Sequence, residues 1–561
     1  MATSKKPSMF PHRIGRSKLV AAIMLACSAC VVADEDWDGE HAAEADSELS
    51  ALGNQVRASA PASSTQQPSV AWIKTSLSSL GNAVVGYTAD GVAAWAHSQS
   101  WSSNAPSWTA HKWNDAGVTW PDPANLCDVY SCPVPWTSYD SVAKALGTGL
   151  TGQVALVTLG GAEDYSNSDI AIVSSKDGGV SFTESKIITL NTPQGDSGGN
   201  VEPDSVHAAL LNAPERANNL AGTVPLNLYV IWRNTDLVGK RRWWATKVLF
   251  GVDGTFIQQQ SPKHVMVIPD FIAGHASIAA SIWDDGTEGV VVAWSERISK
   301  AAMPSPGPAC PSTELLDVIW RVSGTQNFDP ESPTWSCHEV LPGQCEAGAT
   351  LLDRDKRWRP CVGASFSTLS SAPPDNVNND RPEYVDNRYA PHWFFYLAIN
   401  RSVEGAEGMR TVVWRDSMLA PAIWQQVFVS PGVSATGAPL GDAWGHTITL
   451  HQGVSGKPAI PAVSWRTATT EGRVAMQVAT SAEWGNPGTW LTGDLTGGAD
   501  VPWEATDRMG LYQGLSVMEI CVVEPCPPQT ATWPAIPFIA AWPDNRSAGE
   551  RSEIWTRKFE H

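Results

Sequence analysis

DIAIVSSKDGGVSF occupies residues 169–182, and its reading decides the fold. Ile170, Ile172 and Val173 make a β-branched strand. The following Ser175-Lys176-Asp177-Gly178-Gly179 is turn chemistry: an acid that accepts backbone N–H bonds, then glycines that tolerate positive φ. Ser181-Phe182 begins the return, with the aromatic tucked under the hairpin. Two more strands come before it, YDSVAKAL (139–146) and QVALVTLGG (153–161). The local unit is therefore three strands and a hairpin into a fourth.

That unit recurs. An apolar strand ending in Trp and a polar residue appears as GVAAWAHS (91–98), LYVIWRN (228–234), VVVAWSER (290–297), PAVSWRT (461–467) and FIAAWPDNR (538–546). QVALVTLGG and HWFFYLAINR (392–401) fill the same slot without Trp. A small-residue strand precedes each: GNAVVGY (81–87), YDSVAKAL, PDSVHAAL (203–210), GHASIAAS (274–281), GASFSTLS (363–370), GHTITLHQ (445–452) and QGLSVMEI (513–520). A third strand follows, as in RRWWATKV (241–248), RTVVWRDS (410–417) and SEIWTRK (552–558). Four-stranded units at this spacing predict an all-β, seven-bladed β-propeller, with six blades as the alternative. The last unit ends at its third strand, so SVAWIKTSL (69–77) is expected to complete it and close the ring. The 27 Trp, 46 Gly and 40 Pro suit short strands and tight turns better than helices.

The hairpin resembles the Asp box of sialidases and other BNR-repeat propellers. Ser175, Asp177, Gly179 and Phe182 carry the resemblance. WNDAGVTW (113–120) is a near copy through Asp115, Gly117 and Trp120, and TSAEWGNPGTW (480–490) is a degenerate one. The resemblance covers about residues 69–561 and implies the fold; in that family the box lies away from the active site. It stops short of the chemistry. The Arg-Ile-Pro motif of those sialidases is missing, and RWRP (357–360) is neither that motif nor in its blade. Sialic acid hydrolysis is therefore not expected, since a fold does not carry its function with it.

The ends of the chain speak of location. Basic residues up to Lys18 precede the apolar run LVAAIMLACSAC (19–30), which reads as an export signal over 1–30. Cys27 and Cys30 are the two positions for a lipid anchor. Eight acids between Asp34 and Glu48, followed by ASAPASSTQQPS, read as a solvated tether over 31–67. Net charge is −19, or about −24 without the five basic residues of 1–26, which argues against a nucleic-acid partner. An exported chain favours disulfides, and Cys127 with Cys132 and Cys521 with Cys526 are each spaced to close a small loop. GDSGG (195–199) matches the nucleophile loop of trypsin-like proteases, but the candidate histidines upstream of it, His97 and His111, belong to propeller strands, so it reads as an ordinary loop.

One position of the small-residue strands is polar throughout: Asn82, Asp140, Asp204, His275, His446 and Gln513, with Gly363-Ala364 breaking the series. These strand starts are expected to meet at one mouth of the central channel. Three readings are open. The residues satisfy a water-filled mouth. Or His275, His446, Asp140 and Asp204 hold a divalent metal. Or Asp140 and Asp204 act as acid and base on a sugar, assisted by His275 and His446, with Asn82, Gln513, Arg359 and Arg508 binding substrate. Arg381 and Arg388 are further cations for a carboxylate or sulfate. The function expected is recognition and cleavage of extracellular carbohydrate, as a glycoside hydrolase or polysaccharide lyase. The alternatives are a non-catalytic surface scaffold for a protein or glycan ligand and a metal-dependent enzyme. A monomer is expected.

Overall fold

The structure, a computed structural model, describes Leu49, the strands between Leu52 and Glu560, and the turns that join some of them. Residues 1–48 and most loops, among them 113–136, 189–201, 300–315, 339–382 and 518–536, lie outside the described residues. In chain order, β1 (Leu52–Arg57) comes first. A first run follows: β2 (Thr65–Ile73), β3 (Asn82–Ala89), β4 (Val92–Ser98) and β5 (Thr109–Lys112). A second is β6 (Thr137–Ala145), β7 (Val154–Gly161), β8 (Asp169–Ser175) and β9 (Glu184–Ile188). Val92 pairs with Thr137 and joins these two runs into one eight-stranded sheet.

The third run is β10 (Glu202–Leu210), β11 (Leu226–Thr235), β12 (Arg241–Phe250) and β13 (Phe256–Gln259), with β14 (Lys263–His264) beside β12. The fourth is β15 (Ile272–Ile282), β16 (Glu288–Ser299), β17 (Leu316–Gln326) and β18 (Ser336–His338). The fifth is β19 (Glu383–Asn387), β20 (Phe394–Ser402), β21 (Met409–Ser417) and β22 (Gln425–Val429). The sixth is β23 (Leu440–His451), β24 (Ile460–Thr469), β25 (Arg473–Ser481) and β26 (Trp490–Asp494), with β27 (Val501–Pro502) beside β25. The last holds β28 (Gly514–Val517), β29 (Pro537–Asp544) and β30 (Glu553–Glu560). Five sheets with a four-strand path stand separately, and all pairings are antiparallel.

The first strands of successive runs are neighbours. β2 lies beside β6, β6 beside β10, β10 beside β15, β15 beside β19, β19 beside β23, β23 beside β28, and β28 beside β2 again. The circuit closes and the sheets stand outward from it, so the described fold is a β-propeller of four-stranded sheets. Its core is a set of apolar layers between neighbouring sheets. One joins Val157 and Ile172 to Val230 and Trp232. Another joins Tyr396 and Val413 to Val463 and Trp465. Trp95, Trp232, Trp243, Trp465 and Trp542 are all fully buried. Each is worth up to about 5 kcal/mol of area burial, an upper bound set by the extended-chain reference.

Four expectations are corrected. SVAWIKTSL does not close the ring: β2 is the inner strand of the first run, and the closing strand is one earlier, where β1 pairs with β30. That segment was expected to be tether. LGNQVR has no fully buried residue and no apolar alternation, so its sequence carries no strand pattern. Cross-strand bonds hold it instead: Arg57 meets Glu553 at 2.8 Å, and Arg557 donates to the Gly53 carbonyl at 2.8 Å. GNAVVGY and GVAAWAHS are consequently the second and third strands of the first run, one place later than expected. In the fifth run the inner strand is Glu383–Asn387, and GASFSTLS lies outside the described residues. Ser69-Val70, Ser141-Val142 and Ser205-Val206 align across β2, β6 and β10, a signal that would have placed β2 correctly.

The Ser175–Phe182 hairpin is built as its chemistry requires. Ser181 donates to Asp177 through its backbone N–H at 2.8 Å and its hydroxyl at 2.6 Å, and Ser175 Oγ donates to Asp177 Oδ1 at 2.8 Å. The Gly179 N–H donates to Ser175 Oγ at 2.9 Å. Gly178 and Gly179 take φ of 76° and 85°. Phe182 is buried edge-on against Trp95 of the first run, whose indole N–H donates to the Gly179 carbonyl at 2.9 Å. The near copy at Asp115, Gly117 and Trp120 lies outside the described residues, as do Cys127, Cys132, Cys521 and Cys526.

Candidate functional site

Several inner strands carry a register irregularity. Register slips between Ser138 and Asp140 on β6, Pro203 and Ser205 on β10, Ala273 and Ala276 on β15, and Trp444 and Thr447 on β23. Such bulges re-aim a residue and recur near functional sites. Asp204, His275 and His446 are themselves bulge residues, and Asp140 directly follows one. Gln513 sits one residue before β28. Backbone topology thus gathers Asp140, Asp204, His275, His446 and Gln513 at one end of the ring. Pro68 occupies the slip on β2, between Gln66 and Ser69.

Asn82 is not among them. It begins β3, which runs antiparallel to β2, so it lies at the opposite end. It is buried there under the 175–182 hairpin: a Cβ on Gly178 would stand 2.2 Å from its amide nitrogen. Arg359, Arg381, Arg388 and Arg508 lie outside the described residues.

Two ring side chains are described, and both reach back to the preceding run. His446 Nε2 donates to the Ala398 carbonyl on β20 at 3.0 Å. Gln513 Nε2 donates to Ser464 Oγ on β24 at 3.1 Å. Ala398 and Ser464 occupy equivalent places on second strands, so both ring residues reach the same position of the preceding run, one bonding a backbone carbonyl and the other a hydroxyl. Both ring residues are buried, at 3% and 6% exposure. One nitrogen of each fastens one sheet to the next.

Other charges at this end escaped the sequence reading. Asp442, 1% exposed, accepts the Met409 N–H at 2.6 Å. Burial pushes its carboxyl up, against that bond and the charge of Arg410. Arg410 donates to the Met409 and Gly441 carbonyls at 3.0 and 2.9 Å, fixing the start of β21 to the start of β23. Arg466 is buried, and desolvation lowers its guanidinium to about 10 despite the Asp544 charge on β29. The Trp-Arg ending of PAVSWRT is the signal that could have found Arg466. Asp442 and Arg410 are 32 residues apart and meet only across two sheets, so no local pattern announces them. Among the described residues, no three His, Cys, Asp or Glu side chains converge as a metal site.

Neither a family model nor a curated protein matches the chain. Solved structures give weak likenesses. An α-L-arabinofuranosidase of Fusarium graminearum, with arabinobiose, aligns at 11% identity and a TM-score of 0.40, over 77% of this chain and 97% of that one. The polysaccharide lyase Uly1 aligns at 7% and 0.39, over 88% and 90%. An exo-1,5-α-L-arabinanase from a bovine ruminal metagenomic library aligns at 11% and 0.29, over 65% and 97%. At such scores the propeller assignment rests on the strand circuit itself.

Proposed function

We propose that the chain is an exported, seven-bladed, sialidase-like propeller that recognises and cleaves extracellular carbohydrate where its inner strands begin. Each four-stranded run is a blade: the eight-stranded sheet counts as two, and β1 completes the last. Asp140 and Asp204 are the acid/base pair, and His275 assists. One observation supports this reading: in the backbone register Asp140 and Asp204 both fall near the starts of the neighbouring inner strands β6 and β10. Two carboxylates across a glycosidic bond suffice for hydrolysis, retaining at a separation of about 5 Å and inverting at about 6.5–9.5 Å.

The test is the purified chain incubated with a panel of polysaccharides, with products read by mass spectrometry. Asp204→Asn and Asp140→Asn should each cut turnover by at least about 100-fold with unchanged thermal stability. Full activity in both variants overturns the assignment. A folded wild type that binds glycan without turning it over supports the second reading, a non-catalytic scaffold. The buried, bonded state of His446 and Gln513 favours that alternative, because it shows ring positions serving as fasteners.

A further inference from the structure

Three aromatic rings stand in a row beside the 175–182 hairpin, outside the site above. Trp95 stacks on His111 with centroids 4.9 Å apart and planes at 19°. His111 is parallel to His97, with centroids 5.1 Å apart and planes at 10°, and His111 Nε2 lies 3.1 Å from His97 Nδ1. Trp95 is the residue that donates to the Gly179 carbonyl and packs on Phe182, so the row ends at the junction of the first and second runs. His111 lies on β5, a four-residue edge strand attached to β4.

We propose that this Trp95–His111–His97 row is an acid-sensitive clasp: two protons on the histidine pair release β5 and loosen the joint between the first two runs. The reason is the bond between the rings. One nitrogen must donate and the other accept. A first added proton can sit on a nitrogen outside the bond. The second must occupy the remaining acceptor, which breaks the bond and sets two cations against each other. The surroundings work the same way. Burial lowers the affinity of His97 for a proton and His111 lowers it further, while Asp177 opposes both. On β3 the partner of His97 is the uncharged Val84; Lys112 and Lys176 are the next charges along β5 and the hairpin. A neutral form favoured by folding holds β5 fully above the ordinary value of 6.5, and that contribution is lost as pH falls below it.

Hydrogen exchange of the intact protein at about pH 7.5 and about pH 5, corrected for intrinsic chemistry, tests this. Protection of the Thr109–Lys112 amides should drop at least about tenfold at the lower pH, while the Trp490–Asp494 amides hold. His111→Gln, which can bond but not titrate, should abolish that drop. Equal protection at both pH values, or a drop that survives His111→Gln, overturns the clasp. Should that variant not fold, NMR titration of wild-type histidines decides: coupled titration with His97 below 6.5 sustains the proposal, and two independent ordinary titrations overturn it.

Discussion

Two hairpins of this propeller do the same work with different chemistry. Ser175–Phe182 organises its turn around a carboxylate, Asp177, which gathers three hydrogen bonds. In Ser481–Trp490 the described turn contacts come from hydroxyls and carbonyls instead. The Ser481 and Thr489 hydroxyls lie 2.5 Å apart, Thr489 donates to the Asn486 carbonyl at 2.8 Å, and Trp484 takes a φ of 58°. Yet both hairpins offer a carbonyl to the preceding run. Gly179 accepts from Trp95; Trp484 accepts from Tyr396 Oη at 2.8 Å and from Arg415 at 2.9 Å. Both also close with a buried aromatic, Phe182 or Trp490. What is retained is a turn that presents one carbonyl to the neighbouring sheet, and the Asp is one way of building it.

The largest effect should come from the donor side. Trp95→Ala removes a fully buried indole and its hydrogen bond together, and should cost about 3–5 kcal/mol in denaturant unfolding. Trp95→Phe should cost about 1–2 kcal/mol beyond its volume change, because only the bond to Gly179 is lost. A cost for Trp95→Phe no larger than its volume change explains would mean that the carbonyl contact contributes nothing.

A second contrast separates the turns by packing. Gly179 and Gly488 both have positive φ, 85° and 79°. A Cβ on Gly179 would stand 2.3 Å from the Val84 side chain, whereas one on Gly488 meets nothing within 4 Å. Gly488→Ala should therefore cost only the backbone term, about 1 kcal/mol, and Gly179→Ala at least twice that. Thermal midpoints of the two variants decide it, and similar shifts would show that the first hairpin has slack.

On the acceptor side of the second hairpin, Arg415 is half replaceable. Its guanidinium donates to Trp484 and to Asn486 Oδ1 at 2.8 Å, but Tyr396 serves the same carbonyl. Arg415→Met keeps the stem and should lose about 1 kcal/mol. Adding Tyr396→Phe should cost more than the sum of the two single changes, since only then is the Trp484 carbonyl left without either donor.

This comparison also shows which parts of the fold were legible. The strand of Ile170–Val173 and the turn after it could be read because the chemistry is local: alternation, a capping acid, glycines, a returning aromatic. The sixth-run hairpin was half legible, since Ser481, Thr489 and Trp490 keep their places while two extra residues hide the turn. β1 was not legible, because nothing in LGNQVR is fully buried and its support comes from Glu553 and Arg557 at the other end of the chain. At the candidate site, the series Asp140, Asp204, His275, His446 and Gln513 was visible from strand alignment. Its error, Asn82, followed from taking the second strand of the first run for the inner one. The direction in which His446 and Gln513 reach was beyond sequence, because their partners Ala398 and Ser464 belong to the preceding run.

The smallest effect is the one that only the first hairpin should show. Burial alone would raise the Asp177 carboxyl, but the bonds from the Ser181 hydroxyl and N–H and from Ser175 outweigh it and hold the group below the ordinary 3.8. A carboxylate held low in the folded state adds stability that is complete above the ordinary value and disappears as pH falls through the folded one. Asp177 is exposed, so solvent screens the gain and the expected contribution is a fraction of a kcal/mol. Exchange protection of the Glu184–Ile188 strand, followed between about pH 5 and about pH 2.5, should decline below 3.8 in the wild type and lose that decline in Asp177→Asn. The Trp490–Asp494 strand, whose described turn contacts are made by hydroxyls and carbonyls, should lack this step. A matching decline in both strands would mean that acid loosens the whole ring, and that the carboxylate has no local part in shaping its hairpin.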